Sequence, residues 1–439
     1  MLRRGPYDRD IVRLALPALG SLVAEPLYLL ADTAIVGSLG TEPLGGLAVA
    51  ATVLTAVFGI FNFLAYATTS TVARRLGAGN PRTAAERGID GLWLAGGLGV
   101  LLTVVGLVVA PLVVDVMGAS AEVRPYALTY LRISLLGAPF ALLALAGAGY
   151  LRGLQDTHTT LVIAVVANVA NLALDLVLVK VLDLGIAGSA WGTVIAQVGA
   201  AAVFLLICGR LALTAGASLR PRADGLRETA VVGSHLVLRT GSLLLALLAA
   251  TAVAARISDD ALAAHQITYQ IWNFLALTLD AIAIAAQAMI GRLLGASDAP
   301  GARAASRRML ELGVLVGAGL GLTVALLRTV VVPVFSDSPA VQDLADQALL
   351  VVALLQPVAA IVFVLDGVLI GAGDSRYLAR AMVAATLVYA PCALLVLALD
   401  GGLVALWLSL GVWMLARMAG LGVRYLDRRW LVTGASHRP

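Results

Sequence analysis

Twelve long apolar stretches run through this 439-residue chain, and they constrain its fold more than any other feature. Each has about 20 or more predominantly apolar residues, the length that crosses a bilayer as an α-helix. The composition agrees, since 60% of the residues are hydrophobic and 13% are charged, whereas soluble domains have about 45–50% and about 25%. Helices satisfy their own backbone hydrogen bonds in lipid, so we expect an all-α membrane protein. The predicted transmembrane helices cover residues 10–37, 44–73, 88–116, 124–150, 158–182, 186–211, 228–256, 262–291, 305–334, 342–370, 377–399 and 402–425.

The Lys and Arg residues divide unequally between the two sides of the membrane that these spans define. Twenty-four of the 30 fall on one side, four fall on the other, and Arg132 and Arg239 lie inside spans. The larger set includes Arg3, Arg4, Arg417 and Arg438. Because an excess of basic residues marks the cytoplasmic side, we expect both termini in the cytoplasm and the protein in the cell (inner) membrane. The same distribution argues against a nucleic-acid-binding surface. The first apolar segment is too long for a cleavable signal peptide.

The two halves of the chain resemble each other at one fixed, ungapped offset, the spacing between Arg74 and Arg292, which we call the repeat offset. Arg74, Leu76, Gly77 and Ala78 return as Arg292, Leu294, Gly295 and Ala296, Pro139 returns as Pro357, and Gly153 and Asp156 return as Gly371 and Asp374. Each half has six spans, an even number, so both halves start on the same side of the membrane and form a parallel repeat. We therefore predict two six-helix lobes related by a pseudo-two-fold axis, with an N-terminal lobe at 1–212, a cytoplasmic linker at 213–227 and a C-terminal lobe at 228–439. Such lobes, with a cavity between them, are typical of transporters.

Three spans of the first half each carry polar side chains along one helix face. They are Glu25, Tyr28 and Asp32 in the first span, Asn168, Asn171 and Asp175 in the fifth, and Ser189, Thr193 and Gln197 in the sixth. At the repeat offset the second half has Leu243, Ala246, Ala250, Thr386, Tyr389, Ala393, Gly411 and Leu415 in eight of these positions. Asn, Ser and Thr commonly join helices within membranes, but that role needs no charge. The loss of the acids from one half favours a binding site in the other.

Asp32 and Asp175 therefore form a candidate site for a coupling ion. Two neighbouring carboxylates cannot both ionise cheaply in a low dielectric, so the pair is expected to hold a proton or, with Asn and Thr oxygens, a hard cation such as Na⁺. Pro17 and Pro26 interrupt the backbone hydrogen bonds of the first helix and are candidate hinges. A static packing kink is the alternative for each proline.

The second half has its own intramembrane acids, Asp280 and Asp366. Each is either a cavity acid that attracts cationic substrates or a structural charge, for which Arg239 or Arg132 is a possible partner. Tryptophans such as Trp272, Trp407 and Trp413 are more typical of membrane interfaces and packing than of a ligand site. Cys208 and Cys392 lie far apart in sequence, which argues against a disulfide or metal framework.

Several segments together resemble the multidrug and toxic compound extrusion (MATE) transporters, and the acids of the first half resemble its DinF-like branch. The segments are ADTAIVGSLG at 31–40, RRLGAGN at 74–80, AAHQI at 263–267, LDAIAIAAQAMIGRLLGA at 279–296 and VLDGVLIGAGDS at 364–375. The family extrudes organic cations in exchange for H⁺ or Na⁺, so the resemblance implies small organic substrates, no enzymatic activity and no cofactor besides the coupling ion. We expect a monomer embedded in the lipid bilayer.

The resemblance also implies roles for particular residues. Asp32, Asn171, Asp175 and Thr193 would form the site for the proton or, in a Na⁺-coupled protein, for the metal ion. Pro17 would be the bending point. Glu25, Tyr28, Tyr130, Asn168 and Gln197 would lie at or near the substrate cavity, and Asp366 resembles the acid that related branches use in the tenth span. Glu25 is not a fixed feature of the branch.

Three other functions compete with efflux. A lipid-linked oligosaccharide flippase of the same superfamily would favour a strongly cationic cavity, whereas the central charges here are mainly acids. A major facilitator carrier has a different basic loop after its second span, which ARRLGAGN does not match. A membrane receptor or enzyme would need a soluble domain, a metal cluster or a nucleophile constellation, and the sequence indicates none of these.

Overall fold

A computed structural model describes residues 5–435 of the chain, and the regular structure of this part is helical throughout. The helices are α1 (Asp8–Gly37), α2 (Thr41–Phe61), α3 (Phe63–Gly77), α4 (Pro81–Val116), α5 (Arg124–Gly153), α6 (Thr157–Asp175), α7 (Gly185–Thr214), α8 (Ala223–Ile257), α9 (Asp259–Gly295), α10 (Ala299–Val331), α11 (Pro339–Gly371), α12 (Ser375–Ala398) and α13 (Gly402–Leu426). Arg3, Arg4 and Arg438 of the predicted cytoplasmic charge lie outside the described residues.

Twelve segments within 5–435 are long and apolar enough to cross a membrane. The second of them, Thr41–Gly77, contains both α2 and α3, which meet at Asn62. The prediction of an all-α membrane fold with twelve spans is therefore confirmed.

Short polar side chains start several of these helices. Asp156, Asp298 and Ser258 each accept a hydrogen bond from the backbone N–H three residues later, at 2.8–3.0 Å. Such caps satisfy amide groups that the first helical turn leaves without a partner, typically stabilising a helix by about 1 kcal/mol. The loops between spans can therefore be short, with the chain turning directly from one helix into the next.

The chain forms two compact units, which we call the first unit (Leu16–Gly233) and the second unit (the segment up to Ala15 together with residues from Ser234 onward). The chain passes between them twice, inside α1 after Ala15 and inside α8 after Gly233. These two positions are separated by the repeat offset. The boundaries of the units thus differ from those of the lobes predicted at 1–212 and 228–439. The observed boundaries fall inside α1 and α8, whereas the predicted boundary was the linker.

Ion pairs explain why the first turns of α8 belong to the first unit. Arg222 Nη1 lies 2.6 Å from Glu86 Oε2, and Arg87 Nη2 lies 2.7 Å from Asp224 Oδ2. Residues 223–227, predicted as linker, are thereby the beginning of α8.

A corresponding ion pair holds the start of α1 in the second unit. Asp8 accepts two hydrogen bonds from Arg308, at 2.6 and 2.8 Å. A bidentate guanidinium–carboxylate pair fixes orientation as well as distance. The first turns of α1 are therefore anchored in the second unit, although the rest of α1 lies in the first unit. The first turns of α8 are anchored in the first unit, although the rest of α8 lies in the second unit.

The repeat is visible in the helix packing inside each unit. In the first unit, an ideal Cβ on Gly149 of α5 would lie 2.5 Å from the carbonyl oxygen of Ala65 on α3. In the second unit, a Cβ on Gly367 of α11 would overlap the carbonyl oxygen of Ala283 on α9. The repeat offset relates both members of one pair to those of the other. Without a side chain, the glycines let two helix backbones approach closely, as small residues commonly do in membrane bundles.

We expect Gly367→Ala to lower the melting temperature of the purified protein, because an added methyl in a well-packed crossing typically costs about 1–3 kcal/mol. The matched control is Gly97→Ala in α4, where a Cβ would have no neighbour within 4 Å and alanine is the better helix former. Thermal unfolding in detergent measures both. Equal melting temperatures for Gly367→Ala and the parent protein would contradict the proposed close crossing.

Candidate functional site

Two buried carboxyl groups face each other in the first unit. Asp32 of α1 is 1% exposed and Asp175 at the end of α6 is 0% exposed. The two carboxyl groups interact electrostatically with each other. Ser189 of α7 donates a hydrogen bond of 2.6 Å from its hydroxyl to Asp32 Oδ1. Helices α1, α6 and α7 thus meet at one acidic cluster, although α1 is far from the other two in sequence.

Oxygen atoms of this cluster lack hydrogen-bond donors. Neither carboxylate oxygen of Asp175 has a hydrogen-bond partner among the described residues, and the side-chain oxygen of Asn171 also lacks one there. Burying an ionised carboxylate without a partner is strongly unfavourable. Buried oxygens without donors are what a proton or a hard cation would satisfy, and the residues present fit either.

Hydroxyl groups connect the cluster to α1. The Tyr28 hydroxyl lies 3.0 Å from Thr193 Oγ1, and Asn171 Nδ2 donates to the same Thr193 oxygen at 3.4 Å. Tyr130 of α5 is buried against the cluster and belongs to the apolar core that packs α1, α2, α4, α5 and α7 together. The structure therefore brings together Asp32, Asn171, Asp175 and Thr193, with Tyr28 and Tyr130 beside them.

The backbone around Asp175 is unusual in two ways. A π-helical segment, Leu176–Val181, directly follows Asp175. Such wider turns inside helices are frequent at functional sites. On α7, Gly192 faces the carboxyl group, and a Cβ there would overlap Asp175 Oδ1. Sequence reasoning missed Gly192 and the π-helical turn. The position of Gly192 on the face shared by Ser189 and Thr193 was the available signal.

The other first-half residues named from sequence lie outside this cluster. Glu25 is exposed on α1, and Asn168 and Gln197 are half-buried. Gln197 packs against Gly137 of α5. Helix α1 continues through Pro17 and Pro26, and Pro17 lies just after the position where α1 passes between the units.

The second unit buries a charge cluster of different composition. Asp366 of α11 is 3% exposed, and its Oδ2 accepts hydrogen bonds from Arg239 at 2.6 Å and from Arg417 at 2.8 Å. This geometry favours a paired structural charge, with Arg239 as one anticipated partner. Arg417, which the sequence analysis counted among the basic residues of the cytoplasmic side, is buried inside α13 against Asp366. Asp280 is half-buried on α9, and Arg132 is exposed on α5.

Twelve spans, an internal six-span repeat and a buried acidic cluster in one half are typical of membrane transporters. Comparison with known proteins gives the family. The family model described as MatE matches residues 17–177 and 241–395, which is more than half of the chain. The chain belongs to the MATE family of transporters, as its sequence motifs had indicated.

Individual relatives cover nearly the whole chain. It is 31% identical to DNA damage-inducible protein F of Escherichia coli (strain K12), over 96% of this chain and 92% of the relative. It is 32% identical to Protein DETOXIFICATION 44, chloroplastic, of Arabidopsis thaliana, over 94% and 81%. A structure titled as the outward-facing conformation of a multidrug resistance MATE family transporter of the MOP superfamily superposes with a TM-score of 0.87 at 22% identity, covering 97% of this chain and 96% of that one. This structural likeness supports the fold.

We expect Gly192→Ala to displace the Asp175 carboxyl group, because the new methyl would occupy its place. An overpacked methyl costs about 1–3 kcal/mol of stability, and with the carboxyl group displaced ethidium efflux from expressing cells should fall. The control is Gly199→Ala on the same helix, where a Cβ would have no neighbour within 4 Å. Parental efflux by Gly192→Ala at matched protein levels would show that the carboxyl position is not critical.

Proposed function

We propose that this protein is a secondary active antiporter that exports organic compounds, mostly cationic or aromatic, in exchange for H⁺ or Na⁺ by alternating access. The single observation that carries the proposal is the buried Asp32–Asp175 pair, with oxygens that lack donors. A bound proton or cation stabilises such a pair, and its release leaves buried carboxylates whose charge is uncompensated. Binding and release of the exchanged ion should therefore change the stability of this part of the first unit strongly.

The proposed coupling site consists of Asp32, Asn171, Asp175 and Thr193, which would hold a proton on the carboxyl pair or Na⁺ among their oxygens. Either ion supplies useful energy, since one charge that moves across 100 mV releases about 2.3 kcal/mol. At about 1.4 kcal/mol per factor of ten, one exchanged ion supports roughly a 40-fold gradient of an uncharged substrate.

Substrate contact is proposed for residues near this site. Tyr28 shares a hydrogen bond with Thr193, so a substrate that displaces Tyr28 would alter the coupling site directly. Glu25 lies about one turn before Tyr28 on α1 and is exposed, which suits an acid that attracts organic cations. Asn168, Gln197 and Tyr130 remain candidates at the cavity.

Helix α1 is the proposed moving part. It carries Asp32 and Tyr28, and it passes between the two units beside Pro17, which removes one backbone hydrogen bond. Ion binding at Asp32 would change the charge on the helix that connects the units. Pro17 is the proposed bending point, because it lacks a backbone N–H and lies just after the position where the chain passes between the units. Pro26 is the second candidate hinge. We also propose a monomer in the cell (inner) membrane with both termini in the cytoplasm.

We expect Asp32→Asn to reduce ethidium efflux in membrane vesicles to background while the protein still folds. Asparagine keeps the shape of the side chain and can accept from Ser189, but it cannot ionise. Asp175→Asn should behave in the same way. Asp115→Asn is the matched control, because Asp115 is an exposed acid paired with Arg124 at 2.6 Å. Full efflux by Asp32→Asn would refute its coupling role.

The coupling ion is identified by substrate efflux from proteoliposomes under H⁺ and Na⁺ gradients imposed one at a time. We expect one gradient to drive transport and the other to leave it at the rate measured without a gradient. The responding gradient should have no effect on Asp32→Asn. Insensitivity of the parent protein to both gradients would rule out ion coupling and favour the alternative function, a flippase for lipid-linked oligosaccharides or other lipids.

A further inference from the structure

The repeat places aromatic side chains in the second unit where the first unit has its acidic cluster. At the repeat offset, Asp32, Asn171, Asp175 and Ser189 correspond to Ala250, Tyr389, Ala393 and Trp407. Leu410 stands in the position of Gly192. The same place in the helix bundle therefore has carboxyl and hydroxyl groups in one unit and large rings in the other.

These rings enclose a cavity. Three tryptophans, Trp272, Trp407 and Trp413, line it together with the aliphatic side chains of Leu247, Leu355 and Met414. The rings of Trp272 and Trp407 are 6.1 Å apart and inclined by 54°, an arrangement typical of aromatic pairs. The cavity has a volume of about 10 Å³, which is room for about one water molecule. The conformation described is therefore closed around it.

Hydrogen-bond donors at this cavity have no acceptor. The indole N–H groups of Trp407 and Trp413 lack a partner among the described residues, although the two side chains are only 2% and 3% exposed. Buried indole N–H groups usually have a partner. Two such donors at one apolar cavity call for an acceptor that the protein itself does not supply there.

The charge cluster beside the cavity is positive on balance, because the Asp366 carboxylate is paired with two guanidinium groups, those of Arg239 and Arg417. The Arg417 guanidinium lies over the Trp413 ring, 4.9 Å from its centroid, and its Nε has no hydrogen-bond partner among the described residues. The guanidinium would repel a cationic group of a ligand at this end of the cavity and would attract the lone pair of a hydrogen-bond acceptor. The cavity thus differs in preference from the acidic cluster of the first unit.

We propose that this cavity is a substrate subsite for a planar aromatic group that carries a hydrogen-bond acceptor, such as a carbonyl oxygen or a ring nitrogen. The acceptor binds the N–H groups of Trp407 and Trp413, and the aromatic ring replaces part of the contact between Trp272 and Trp407. Trp272 is half-buried, so it is the wall that moves to admit the ring. This inference rests on the proposed export of organic compounds and names a substrate class for it.

Two uncharged bicyclic probes of similar size test the subsite in the parent protein. Coumarin has a carbonyl acceptor and naphthalene has none. Each is titrated into the purified protein in lipid nanodiscs by calorimetry, with empty nanodiscs subtracted and no ion gradient present. We expect coumarin to bind at least about fivefold more tightly than naphthalene, the factor that corresponds to about 1 kcal/mol for one hydrogen bond. Equal affinities, or binding of neither probe, would overturn the proposal and leave a cavity for water.

Phenylalanine substitutions then locate the interaction. Trp407→Phe and Trp413→Phe keep an aromatic ring and remove the N–H group, so each should reduce the preference for coumarin over naphthalene about fivefold. A general loss of folding would instead weaken both probes together. Trp93→Phe is the matched control, because Trp93 donates to the Leu219 carbonyl at 2.9 Å outside the cavity. An unchanged preference in both pocket variants would overturn the assignment.

The same titration separates this inference from the coupling proposal. Asp32→Asn should retain the preference for coumarin, because its substituted residue lies in the first unit. Ion-driven efflux by the parent protein without any coumarin preference would overturn the subsite alone. A coumarin preference in a protein whose efflux ignores both ion gradients would overturn the coupling proposal alone.

Discussion

Placing two carboxyl groups side by side in a low-dielectric interior is the constraint on which the rest of this structure depends. Neither Asp32 nor Asp175 has enough donors to hold a negative charge cheaply: Ser189 serves one oxygen of Asp32, and both oxygens of Asp175 lack a partner among residues 5–435. In the proposed function, a proton or a cation compensates their charge. Gly192 fits this requirement, because a Cβ there would overlap Asp175 Oδ1. The π-helical segment begins directly after Asp175, and such turns are frequent at functional sites.

A common frame supports two different chemistries in the two units. The helix crossings at Gly149 and Gly367 are related by the repeat offset and bring equivalent helix pairs together at equally short range. Close backbone contact of this kind depends on small residues and tolerates little change. The faces that surround the central polar positions carry no such restriction. One unit thus has an acidic cluster there, and the other has an aromatic cavity with indole donors and a guanidinium–carboxylate cluster beyond it.

The connections between the units follow the same repeat. The chain passes from one unit to the other within α1 and within α8, at equivalent positions. Ion pairs hold the start of α1 in the second unit and the start of α8 in the first unit. Helix α1 is anchored at its start in the second unit and carries Asp32 in the first unit. In the proposed function it therefore transmits movement from the ion site to the other unit. Pro17, just beyond the crossing in α1, removes one backbone hydrogen bond from that helix.

Sequence alone determined the membrane class, the twelve spans, the repeat and the helix faces on which Asp32, Asn171, Asp175 and Thr193 lie, because hydropathy and helical period are local properties that lipid makes unusually decisive. The family followed from local motifs as well. Tertiary structure decided which partners meet. It paired Asp32 with Ser189, set Gly192 against Asp175, and buried Arg417 on Asp366, whereas its position near the end of an apolar stretch had indicated a cytoplasmic charge. It also made tryptophans that resembled interface residues into the walls of one cavity. Such contacts join different helices and depend on how each helix is rotated about its own axis, and no local pattern encodes either.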